Sequence, residues 1–91
     1  VKVSRKVKVT NHLGLHARPA TAIVKMLQET KSSVSFTYHS ETINAKSIMS
    51  ILMLAAAKNS VIKIDIEGDD AESVMNKLAL AFEQGFGEIH G

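Results

Sequence analysis

The sequence predicts an α+β fold, an open-faced β-sandwich with three helices on one face of a four-stranded antiparallel sheet, in the order β-α-β-β-α-β-α. Three observations carry this reading. Four segments alternate apolar and polar residues with a period of two, and three others place apolar residues at helical spacing. Each strand keeps one polar side, which suits an antiparallel sheet with one wet face. The 91 residues fit one domain, spanning residues 1–91.

The elements follow in order. From Val3 to Thr10, Val7 and Val9 alternate with Lys6 and Lys8. The first helix starts close to His16 or Ala17, because Pro19 lacks an N–H and fits only a first helical turn. Its apolar stripe is Ala20, Ile23, Val24 and Leu27, with Thr21, Lys25 and Gln28 opposite. Val34, Phe36 and Tyr38 alternate with Ser35, Thr37 and His39, and Thr42 to Ala45 forms a short return strand. The second helix has Ser47 at its N-cap. Ile51, Leu54 and Ala55 make one apolar face of it, and Ile48, Met49, Leu52 and Met53 make another. A chain this short cannot easily cover both, so one stripe is expected at the surface as a partner site. Methionine suits such adaptable surfaces. Val61 to Glu67 puts Ile62, Ile64 and Ile66 on one side of a strand and Lys63, Asp65 and Glu67 on the other. Asp69-Asp70-Ala71-Glu72 resembles a capping box opening the third helix, whose stripe is Ala71, Val74, Met75, Leu78, Ala81 and Phe82.

The stretch Gly14-Leu15-His16-Ala17-Arg18-Pro19-Ala20 is the most informative in the chain. It sets a histidine at a helix N-terminus, where unpaired N–H groups and partial positive charge favour a phosphate. Imidazole attacks in its neutral form, and the positive end of a helix works against a second positive charge there. After transfer the amides of Ala17 and Arg18 face a dianionic group, and the Arg18 guanidinium adds a charge-assisted contact. That chemistry is a phosphoryl carrier's.

The motif Gly-Leu-His-Ala-Arg-Pro-Ala, followed by Lys46-Ser47-Ile48-Met49, resembles the HPr family, the histidine-containing phosphocarriers of the bacterial sugar phosphotransferase system. The resemblance extends over nearly the whole chain, through the acidic turn at Gly68 to Gly85-Phe86-Gly87-Glu88. It implies the same open-faced sandwich. It implies that His16 takes a phosphoryl group from phosphorylated enzyme I and passes it to enzyme IIA domains, with Arg18 as its partner. The protein is then a carrier with a transient phosphohistidine and not a stand-alone catalyst, working as a monomer without cofactor. Ser47 matches the site of an ATP-dependent serine kinase/phosphorylase, in bacteria that have one, and Ile48, Met49, Leu52 and Met53 match the docking surface. An alternative is a regulatory module acting through phosphorylated Ser47 on a transcription regulator, or a carrier in a nitrogen-linked branch. Relatives with the regulatory role alone lack the histidine. The chain departs from the family's usual residues at Leu13, Ser50, His39-Ser40 and Asn59-Ser60, none of which removes a chemical group from the site.

Composition narrows the rest. The chain has no cysteine, hence no disulfide framework. It shows no apolar run long enough to span a membrane and opens on a basic alternating segment rather than a signal peptide, so a cytoplasmic location is expected. Zinc is a weak rival. His12 and His16 have ligand-like spacing, with His39 and His90 elsewhere, but Leu13-Gly14 keeps the first two off one helical face. A nucleic-acid module is another, with only 4% aromatic residues and no strand bearing a stacking platform. The expectation is no metal and no nucleic acid.

Overall fold

Four strands and three helices form in the expected order in the computed structural model, which describes residues 1–88. They are β1 (Lys2–Lys8), α1 (Ala17–Leu27), β2 (Ser33–Tyr38), β3 (Glu41–Asn44), α2 (Ile48–Leu54), β4 (Val61–Glu67) and α3 (Ala71–Glu83), followed by a 3-10 turn at Gly85–Gly87. The sheet order is β1-β4-β2-β3, antiparallel throughout.

Register separates the two faces. Val3 pairs with Ile66 and Val7 with Ile62, while Val34 and Phe36 oppose Ile66 and Ile64. These residues point toward the helices, and the three isoleucines are fully buried. Each such side chain stabilises the fold by about 1.5–3 kcal/mol through burial. The open face carries Ser4, Asp65 and Ser35 in one row and Lys6, Lys63 and Thr37 in the next. Ile23 and Leu27 of α1, Ile51 of α2, and Leu78 and Phe82 of α3 complete the core from the helical side.

Four local readings need correction. The first strand ends at Lys8, not Thr10. Val9 stays buried, but it bonds to Ser60 O and receives Asn59 N, because Asn59 turns the chain at φ +74° and breaks the ladder. The face assigned to Ile51, Leu54 and Ala55 loses its last member. Ala55 caps α2 in the left-handed region at φ 51° and is exposed, and Ala56 takes the buried place. Asp70 occupies the N-cap of α3 without capping it. Its carboxylate is held by the hydroxyls of Thr30, at 2.7 Å, and Ser32, so it fastens α3 to the chain leaving α1. The return strand is shifted by one residue, since Asn44 already accepts Ser47 N in the turn into α2.

Candidate functional site

The loop from Asn11 to Leu15 places the histidine. Gly14 lies at φ +69° against the segment after α2, where a Cβ would stand 2.3 Å from Ala56 O. Leu15 N donates to Ala56 O at 3.0 Å, and the Leu15 side chain is buried. These contacts aim the chain into α1, whose N-cap is His16 with extended backbone, φ −80° and ψ −167°. The first helical bond closes from Ala20 N to His16 O at 3.0 Å. The amides of Ala17 and Arg18 therefore have no intrahelical acceptor, and Pro19 has no amide to satisfy.

The His16 ring does not cap the helix. It turns to Glu88, with Nε2 2.9 Å from Oε2 and 3.2 Å from Oε1. Asn11 is fully buried, and its Nδ2 donates to the same carboxylate and to Gly85 O at 2.9 Å. Burial pushes the Glu88 carboxyl up, but the Asn11 hydrogen bond, with neighbouring His16 and Arg18, outweighs it and holds the group below its usual value. An ionised carboxylate only accepts, so Nε2 must be the donor. Nδ1 has no hydrogen-bond partner among the described residues. Arg18 is exposed and forms no ion pair or side-chain hydrogen bond among them.

Aromatic packing brings Glu88 here. Phe82 meets Phe36 edge-to-face at 5.8 Å and Phe86 at 4.9 Å, and Thr10 Oγ1 donates to Phe82 O. The turn after α3 is thereby laid against the loop before the histidine.

Ser47 is the N-cap of α2, and its Oγ accepts Ser50 N at 3.2 Å. α1 and α2 pack together, with Lys46 Nζ bonded to Thr30 O beyond one end and Leu15 N to Ala56 O beyond the other. The two helices thus run antiparallel, and Ser47 caps the end of α2 away from His16, about 10 Å along its axis. Met49 and Met53 are 68% and 71% exposed, Ile48 is 37% exposed, and Leu52 is half-buried. Leu13, beside the histidine loop, is 71% exposed.

Two other histidines among the described residues form no hydrogen bond to the site. His12 is exposed, and His39 lies in the β2–β3 turn with its ring against Tyr38. His90 lies outside the described residues. No group of three or more His, Cys, Asp or Glu side chains could hold a metal ion among the described residues. No helix there is long and apolar enough to cross a membrane. Sequence reasoning missed Asn11 and Glu88 as site residues. Glu88 meets His16 across 72 residues, and Asn11 reaches the histidine only through Glu88, 77 residues away from it, which leaves no local pattern.

The family model described as the PTS HPr component phosphorylation site matches residues 3–84. The phosphocarrier protein HPr of Chlamydia muridarum is 47% identical over 81 residues, covering 89% of this chain and 78% of its own. The crystal structure of HPr-C-His from Thermoanaerobacter tengcongensis superposes with a TM-score of 0.91 at 34% identity, covering 96% of this chain and 98% of that one. An HPr dimer from the same organism matches with a TM-score of 0.76 at 36% identity, covering 90% and 94%.

Proposed function

The chain belongs to the HPr family of phosphotransferase-system phosphocarriers, and on that premise we propose that it carries the phosphoryl group on His16 Nδ1. The carrying observation is the histidine at the start of α1 with Nε2 committed to Glu88 and Nδ1 open. Two helix amides, of Ala17 and Arg18, lack intrahelical acceptors beside it, and the exposed Arg18 supplies a cation without needing to break an ion pair. A shallow, exposed setting lets one partner load the group and another remove it. In this reading the donor is phosphorylated enzyme I and the acceptors are enzyme IIA domains.

The exposed apolar residues Ile48, Met49 and Met53, with half-buried Leu52, form the docking surface for both. Ser47, at the edge of that surface, is the regulatory phosphorylation site. A phosphate there adds about −1.5 to −2 charge beside the apolar patch while the α2 amides hold it. The carrier works as a monomer, with charged Lys2, Arg5, Lys6 and Lys8 along the free edge strand β1 opposing sheet-to-sheet pairing. The test is incubation with phosphoenolpyruvate and enzyme I. The expected product is one acid-labile, base-stable phosphoryl group per chain, absent from His16→Ala. Uptake that persists in that variant refutes the assignment.

A further inference from the structure

We propose that Glu88 and Asn11 act as a positioning pair, the Glu88 carboxylate pinning the proton of neutral His16 to Nε2 so that Nδ1 is the attacking nitrogen. The inference rests on the carrier role proposed above and assigns two residues to it that no sequence motif marks. A neutral imidazole exchanges its proton between two nitrogens, and only the bare one is a nucleophile. Which one is bare is set by the hydrogen bond that the other makes. Here Nε2 faces a carboxylate at 2.9 Å, and Nδ1 has no protein partner among the described residues.

The carboxylate is itself fixed. Asn11 is 0% exposed, and its Nδ2 bridges Gly85 O and the Glu88 carboxylate. Both of those groups accept, so the amide has one orientation, since a flip would set Oδ1 against two acceptors. Its Oδ1 is left buried without a partner among the described residues. A buried amide that leaves one acceptor unpaired is costly. What it secures is the placement of a single carboxylate against a single ring nitrogen. The Glu88 side chain is 14% exposed and the His16 side chain 34%, so the contact is half-buried and only partly screened by solvent.

The transfer step balances with this proton in place. Nδ1 uses its lone pair to form the N–P bond as the N–P bond of a phosphohistidine donor breaks and its electron pair returns to the donor ring. His16 keeps its Nε2 proton, and the positive charge that its ring gains lies against the Glu88 carboxylate. On delivery to the acceptor, the N–P electron pair returns to His16 and the ring is again neutral. Glu88 touches neither the phosphoryl group nor the acceptor nitrogen. It acts through the ring, and Asn11 acts through Glu88.

The test reads the ring directly. Nitrogen-15 NMR of the imidazole in the unphosphorylated full chain, at a pH where the ring is neutral, should show the proton on Nε2. Glu88→Ala should lower the ratio of the two tautomers about tenfold, the scale of a lost charge-assisted hydrogen bond. Glu88→Gln leaves one acceptor oxygen where Asn11 Nδ2 and His16 Nε2 both donate, so its NH2 is turned toward Nε2. It should lower the Nε2-proton preference at least as far as Glu88→Ala and slow phosphoryl uptake about tenfold because the ring's charge is no longer met. Asn11→Ala should move the ratio in the same direction as Glu88→Ala. Should it unfold, the two Glu88 variants still decide the matter. An unchanged ratio in Glu88→Ala, or a wild-type proton on Nδ1, overturns the proposal. That outcome with uptake at His16 intact refutes the pair alone, whereas uptake persisting in His16→Ala refutes the carrier assignment.

Discussion

Gly14→Ala is the substitution that most directly tests how the histidine is placed. An added Cβ would stand 2.3 Å from Ala56 O and 3.0 Å from the Ala57 Cα, both backbone atoms. No flexible side chain can swing aside, so the loop or the segment after α2 must move by about 0.7 Å to reach the shortest separation Cβ atoms tolerate. That movement opens the bond from Leu15 N to Ala56 O, now 3.0 Å, at a cost of about 1–3 kcal/mol if the groups stay buried. Holding an alanine at φ +69° costs about 1–2 kcal/mol more. The stiffer unfolded chain offsets about 0.4–1 kcal/mol. A net loss of about 2–4 kcal/mol should follow, lowering the melting temperature on the order of 10–25 °C. Urea titration and calorimetry measure it, and Gly87→Ala is the control. Gly87 is also left-handed, at φ +79°, but its Cβ would meet nothing within 4 Å, so only the backbone strain remains. In protein that is still folded, phosphoryl uptake should fall about tenfold to a hundredfold, because a displacement approaching 1 Å at a reacting group costs on that order. Equal stability of Gly14→Ala and Gly87→Ala would refute the claim that close backbone approach sets the loop.

Arg18→Ala should slow phosphoryl transfer at least tenfold, about 1.4 kcal/mol in the barrier. Denaturation should find its stability within about 1 kcal/mol of wild type, since Arg18 is exposed and unpaired among the described residues. Ser47→Asp and Met49→Ala should each weaken binding to enzyme I by calorimetry without a large change in melting temperature, and equal affinities for both variants and wild type would remove α2 from the docking surface. Hydrogen bonds from Ser32 and Thr30 hold the Asp70 carboxyl below its ordinary pKa of 3.8. Its contribution to stability is therefore complete above about pH 3.8 and is lost as pH falls below that toward the folded value. Acid titration of wild type against Asp70→Asn should show the two stabilities converging in that range, and a constant difference would contradict the assignment.

What could be read from the sequence was what is local. The caps at His16 and Ser47, the stripe of α1 and the limits of β4 depend on residues within a few positions of one another, and all lie where the pattern put them. The misreadings come from partners far along the chain. Asp70 looks like a cap because Glu72 follows, yet its carboxylate is taken by hydroxyls 38 and 40 residues earlier. Ala55 extends an apolar face on a helical wheel, but the helix has already ended in a left-handed residue there. In the site, the histidine and arginine announce themselves beside a proline. Asn11 and Glu88 do not, since nothing short of the packing of Phe82 and Phe86 says that they meet.

The strand order has a consequence for the order of synthesis. β1 and β2 both bond to β4 and not to each other. Translation delivers β4 after either neighbour, so β1 and β2 leave the ribosome without the strand that they must both lie against. The nascent segment can form the β2–β3 hairpin and fluctuating helices, but β1 waits with both edges unpaired. Such waiting strands are where growing chains associate with one another. Lys2, Arg5, Lys6 and Lys8 give this one a dense positive charge, so the strand that closes the sheet last also repels copies of itself until its partner arrives.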